Sequence, residues 1–259
     1  MSDTLVKSDA SRPHGFFESE AAGLRWLAEA EPAGGARIVR VVGVKPGRIE
    51  LERVRPVRPT AAAARAFGAA LARTHDAGAD AFGAPPAGWS GPGFIGSRPQ
   101  PYAEEGSWGR FFAAARVLPF VAIAEAAGSI TAAEARDIRT ACGAVADGAF
   151  DDLEPPARLH GDLWNGNLLW DEAGAVLIDP AAHGGHRETD LAMLALFGAP
   201  FLEEIVAGYE TAHALRAGWR ERIPVHQLHP LAVHAAGYGR GYGVELAAAA
   251  RATAALAAR

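Results

Sequence analysis

The sequence predicts an α+β chain folded as two unequal lobes, a small β-rich one and a large, mainly helical one. Three observations carry that prediction. Apolar residues alternate with a two-residue period before residue 55 and again between 158 and 180, while the Ala-rich remainder repeats with a helical period. The run Arg55-Pro56-Val57-Arg58-Pro59 separates the two textures and marks the boundary between lobes 1–55 and 56–259. At 259 residues the chain is long enough to enclose a sizeable core around a cleft.

The elements follow in order. Leu5-Val6-Lys7 has strand character, and after a turn rich in Ser, Asp and Pro, Phe17, Ala21, Leu24 and Leu27 mark one face of a helix over 16–30. Residues 37–44 and 48–54 alternate as two strands, with Lys45-Pro46-Gly47 as the turn of a hairpin. Beyond the boundary, helical patterns cover 60–78, 104–126 and 131–149, and a Gly/Pro-rich loop spans 83–101. The Ala runs at 61–64 and 247–255 read as helix surface, because Ala is the best helix former. Leu168-Leu169-Trp170 and Ala175-Val176-Leu177-Ile178 are short strands, and helices then resume to the C-terminus.

Composition narrows the function. The formal net charge is -5 and no long basic run occurs, so neither nucleic acid nor an anionic membrane is the expected partner. Cys142 is the single cysteine, which rules out an intramolecular disulfide and a cysteine zinc site and fits a reducing cytoplasm. Met1 to Lys7 has no apolar signal core, and no stretch reaches the roughly eighteen apolar residues of a membrane span. A soluble cytoplasmic protein is expected, of unspecified oligomeric state.

The densest chemistry lies in Leu159-His160-Gly161-Asp162-Leu163-Trp164-Asn165-Gly166-Asn167, followed by Ile178-Asp179-Pro180. The offset from Asp162 to Asn167 is that of a kinase catalytic loop, and Asp179 stands where the second metal-binding Asp falls. Asp162 can accept a proton from an attacking hydroxyl, while Asn167 and Asp179 offer hard oxygens to Mg²⁺ on ATP. Asp, Asn and Gly also favour tight turns, which is the alternative for the loop taken alone. Lys7 is the candidate phosphate-orienting lysine, with Glu20 on the next helix as its partner and Glu18 as the poorer choice. Glu52 and Val54, at the end of the second hairpin strand, are placed to offer backbone groups to adenine at a hinge.

The run from Arg158 to Gly198, with Trp164 after Asp162-Leu163, with Asp179-Pro180-Ala181 and with Gly185-His186-Arg187-Glu188, resembles the signature of the fructosamine (ketosamine) kinase family. Phe17-x-x-Glu20, the segment Arg65 to His75 and the segment Gly218 to Leu228 extend the similarity over most of the chain. The resemblance implies a protein-kinase-like fold related to aminoglycoside phosphotransferases, and ATP-dependent phosphorylation of a sugar hydroxyl on a small-molecule or protein-bound ketosamine. It implies a part in deglycation, Trp164 as a platform for the substrate, and Asp190 as a brace that accepts backbone hydrogen bonds from the catalytic loop. Family members begin with a hairpin that covers the nucleotide. Only six residues precede Lys7, so a shortened small lobe is expected.

Three rival readings accompany this one. A kinase relative could bind without turnover, and a kinase could act on an aminoglycoside or choline-like acceptor. A metalloenzyme could use His183 and His186, or His226, His229 and His234.

Overall fold

The computed structural model describes residues 3–259. Its first part is an antiparallel sheet. Strand β1 (Thr4–Ser8) leads into helix α1 (Phe16–Ala28), and β2 (Val41–Lys45) and β3 (Arg48–Glu52) complete the order β1-β3-β2. Burial alternates along β3, whose Ile49 and Leu51 join Phe17, Leu24 and Leu27 of α1 in the core. Lys7 is held in register opposite Ile49.

The strand expected over 37–44 is divided. β2 begins at Val41 and carries an irregularity between Val41 and Gly43. The residues before it leave the sheet: Ile38 bridges in parallel to Leu177, with Leu177 N–H donating to Arg37 O at 2.9 Å and Val39 N–H to Leu177 O at 3.0 Å. Ile38 and Val39 are consecutive and both buried, which a strand with one solvated face does not permit.

Arg55 to Pro59 lead from β3 toward the helical part of the chain, and Val57 N–H donates to Trp170 O at 2.7 Å. Helix α2 (Ala61–Asp76) starts at Thr60, whose hydroxyl accepts from Ala63 N–H at 3.2 Å. The Gly/Pro-rich stretch expected as loop contains a hairpin of β4 (Phe94–Ile95) and β5 (Arg98–Pro99). The helix expected over 104–126 starts later, behind a Ser107 cap, as α3 (Trp108–Phe111), a π-helical stretch (Phe112–Val117) and α4 (Leu118–Ala126). Pro119 accounts for the wide turn. It has no N–H for the Ala115 carbonyl, which accepts from Arg116 Nη1 at 3.2 Å instead.

Helix α5 (Ala132–Ala146) opens with a capping box between Thr131 and Glu134. β6 (Ala157–Leu159), the hairpin β7 (Leu168–Asp171) with β8 (Gly174–Leu177), and β9 (His183–Gly185) come next, β9 pairing back onto β6. Helices α6 (Glu188–Leu196), α7 (Leu202–Ala212), α8 (Trp219–Tyr238) and α9 (Arg240–Ala257) complete the lobe. No described helix is long and apolar enough to cross a membrane.

Two apolar cores result. One joins α1 and β3 to α2, α7 and the β7–β8 hairpin, and the other lies among α3, α4, α5, α8 and α9. The crossing of α2 and α7 is backbone-close. A β-carbon at Gly68 would stand 1.8 Å from Ile205 O, and one at Gly208 would stand 1.9 Å from Arg65 O.

Candidate active site

The loop between β6 and β7 is shaped from beneath by Asp190 on α6. Its carboxylate accepts the N–H of His160 at 2.8 Å and that of Gly161 at 3.0 Å, which is the bracing contact the resemblance implied. A buried relay fixes Asp190 in turn. Arg187 Nη1 donates to the Tyr209 hydroxyl at 3.0 Å, that hydroxyl lies 2.8 Å from His75 Nδ1, and His75 Nε2 lies 3.2 Å from Asp190. With the Tyr209 proton directed to Nδ1, the His75 proton sits on Nε2 and points at the carboxylate. Burial pushes the Asp190 carboxyl up, but the His75 contact and the His160 N–H outweigh it and hold the group below the usual carboxylate range.

Gly161 turns the chain with φ 78°, and a β-carbon there would stand 2.2 Å from Ala181 O. Asp162 follows, its N–H donating to His160 Nδ1 at 3.2 Å while His160 Nε2 donates to Ile178 O at 2.9 Å. Burial lifts the Asp162 carboxyl to about 7; the Asn167 hydrogen bond opposes that rise, and the charges of Asp179 and Asp190 add to it. Asn167 Nδ2 donates to Asp162 O at 2.8 Å and to Asp162 Oδ2 at 3.1 Å. That leaves Asn167 Oδ1 without a hydrogen-bond partner among the described residues.

Asp179 follows the β7–β8 hairpin with φ 54°, a left-handed conformation that costs a non-glycine residue about 1–3 kcal/mol and clusters at functional sites. Its side chain is 41% exposed and forms an ion pair with Lys7. Lys7 Nζ also donates to Glu20 Oε1 at 2.8 Å. Burial alone would lower the Lys7 ammonium, but the Glu20 and Asp179 carboxylates reverse this and hold it above its ordinary value. Glu20 itself is pushed up by burial against the pull of Lys7. The residues predicted as base, metal ligands, lysine and partner are thus brought together. Asn167 Oδ1 and the Asp179 carboxylate are hard oxygens on a common cleft, a donor set that fits Mg²⁺ and leaves positions for water and phosphate.

That cleft, of about 800 Å³, is lined by Lys7, Arg12, Glu20, Asp162, Asn167 and Asp179, and also by Trp164, His234 and Tyr238. Trp164 is 41% exposed and meets Phe197 edge-on at 6.0 Å, with the Phe197 ring 4.9 Å from that of His234 and tilted by 43° to it. Burial lowers the His234 imidazole below its ordinary value. The sequence did not point to Arg12 or Tyr238, and it offered His234 only as a metal ligand; the available signal was the four-residue spacing that puts His234 and Tyr238 on one face of α8.

Glu52 and Val54 do not line the cleft. Glu52 N–H is used by Arg40 O at 2.9 Å, and its carboxylate lies 3.8 Å from Arg40 Nε. Val54 is partly buried against the core that joins α1 and β3 to α2, α7 and the β7–β8 hairpin.

The two histidine sets do not form metal centres. His183 Nδ1 contacts Ala181 O, His229 Nε2 contacts Gln100 Oε1 and His234 Nδ1 contacts Pro230 O, each at 2.8 Å. Among the described residues, His186, Glu188 and His226 approach one another closely enough to be considered. Glu188 is taken by Arg222 at 2.5 and 2.9 Å, His186 Nε2 lies 3.2 Å from Asp152, and His226 Nδ1 lies 3.0 Å from Thr189 Oγ1. A guanidinium in that position satisfies the carboxylate that a cation would need.

A two-lobed fold with a lysine–glutamate pair over an Asp–Asn–Asp set defines a phosphotransferase of the kinase-like class. The fructosamine kinase family profile matches residues 1–254, and the chain belongs to that family. It is similar to a "Probable ketoamine kinase" of Enterococcus faecium, 30% identical over 243 residues that cover 90% of this chain and 80% of that protein. A crystal structure from Thermobifida fusca, of a protein provisionally assigned as a fructosamine-3-kinase, is 43% identical with a TM-score of 0.90, covering 97% of this chain and 85% of that one. An aminoglycoside phosphotransferase, 17% identical with a TM-score of 0.60 over 98% of this chain and 86% of that one, shares the fold.

Proposed function

We propose that the chain transfers the γ-phosphoryl group of ATP to a sugar hydroxyl of a ketosamine. The observation that carries this reading is the single cleft in which Asp162, its carboxyl raised to about 7, accompanies Lys7, Asn167, Asp179 and Trp164. Residues 1–55 serve as the lobe over the nucleotide, and 56–259 carry the base and metal ligands.

Asp162 takes the proton of the acceptor hydroxyl as that oxygen attacks the γ-phosphorus. The new O–P bond forms while the bond from phosphorus to the β–γ bridging oxygen breaks, and ADP leaves with that electron pair. Asn167 Nδ2 holds one Asp162 oxygen at 3.1 Å and so leaves the other for the hydroxyl. Asn167 Oδ1 and the Asp179 carboxylate would hold magnesium, which would supply charge neutralisation on the phosphates. Lys7, steadied by Glu20, exchanges Asp179 for phosphate oxygen. Trp164 gives the sugar a flat apolar surface and the adjoining ammonium a π-face. A ketosamine phosphorylated on its sugar can shed that sugar, which makes deglycation the fitting role.

The test is ADP release with Mg·ATP and a panel of ketosamines beside aminoglycosides and choline. Ketosamine-dependent release is expected. Release with another acceptor alone reassigns the substrate, and nucleotide binding without release from any acceptor makes the chain a binding protein.

A further inference from the structure

We propose that Arg12 is a second phosphate-binding residue of the cleft, contacting the nucleotide's phosphate oxygens beside Lys7. The proposal rests on the reading of the cleft as a nucleotide site. The carboxylates of Asp9, Glu20, Asp162 and Asp179 line it, and Lys7 and Arg12 are the lysine and arginine that face them. A nucleoside triphosphate brings several negative charges, more than one ammonium offsets, and Lys7 is already shared between Glu20 and Asp179.

Arg12 is held in a different way. Its Nε faces Asp9 Oδ2 at 3.2 Å, and its guanidinium lies over the Phe16 ring, 4.7 Å from the centroid. One edge and one face are thereby fixed, while Nη1 and Nη2 have no hydrogen-bond partner among the described residues. The side chain keeps 34% of its surface exposed. A guanidinium pinned this way presents its remaining donors as a preorganised fork, the geometry that phosphate oxygens accept.

The loop that carries it is tied down at several points. Asp9 Oδ1 accepts Ser11 N–H at 2.9 Å, Arg12 N–H donates to Asp9 O at 3.3 Å, and Asp9 N–H donates to Gly47 O at 3.0 Å. Asp9 therefore orients Arg12 and anchors its loop to the β2–β3 turn. Burial pushes Glu20 up, and Arg12 is among the cations that oppose it, so the guanidinium's field reaches the same lysine–glutamate pair.

Binding of ADP and of adenosine, each with magnesium, to wild type, Arg12→Ala and Arg12→Lys tests the assignment by calorimetry. Arg12→Ala is expected to weaken ADP by about tenfold or more, as the loss of charge-assisted hydrogen bonds implies, and to leave adenosine within about twofold. Arg12→Lys restores part of the ADP affinity. ADP affinity in Arg12→Ala within about twofold of wild type overturns the assignment. Wild type that binds no ADP overturns it together with the nucleotide reading. Arg12-dependent ADP binding in a chain that phosphorylates no ketosamine upholds the assignment and overturns the proposed function alone.

Discussion

At Asp162 one carboxyl combines two opposed demands. Burial that lifts it to about 7 makes it a base matched to neutral pH, and the same burial costs the fold stability. The folded chain holds this proton more tightly than the unfolded one, whose value is 3.8. Stability from the group is therefore full below 3.8 and is lost as pH rises to about 7. Asp162→Asn should lower kcat by roughly 10²–10⁴-fold. It should also melt higher than wild type at pH 8, read by calorimetry, with a near-unchanged circular dichroism spectrum. In the wild type, kcat/KM plotted against pH should rise through an inflection near 7 as Asp162 ionises, and a flat profile from pH 6 to 8 would remove it as the base.

Elements were legible to the extent that their stabilising contacts were local. The helices expected over 60–78 and 131–149, the helical face of α1 and the alternation of β3 all arise from patterns within a few residues, and they fold close to the expected bounds. Arg37 to Val39 read as strand and are strand-like, but their partner is Leu177, which no local pattern names. The site divides along the same line. Asp162, Asn167 and Asp179 are spaced along one loop and hairpin, whereas Arg12, His234 and Tyr238 join them through folding alone. Glu52 lies away from the residues lining the cleft, with its N–H given to Arg40 O, a pairing beside the irregular start of β2. The α2–α7 crossing was equally silent, since a glycine in an Ala-rich helix looks like a weak helix former and not like a contact point. Gly68→Ala and Gly208→Ala should each cost about 1–3 kcal/mol in urea unfolding, in spite of Ala's higher helix propensity.

Over the whole molecule, Lys7 belongs to the small lobe and Asp179 to the large one, so their ion pair closes the cleft from one side to the other. Lys7→Met should lower the melting temperature of the ligand-free chain, since it leaves the Glu20 carboxylate, 10% exposed, without its partner. It should erase most of the stabilisation by Mg·ATP, which for wild type is about 2.7 kcal/mol at a hundredfold excess over Kd. Thermal shift with and without nucleotide checks both halves. The small lobe also bonds to β8 of the hairpin, through Arg37 and Val39 at Leu177. Asp179 stands two residues beyond Leu177, so the stretch of chain that presents its carboxylate to the cleft is also the stretch stitched by main-chain bonds to the segment entering β2.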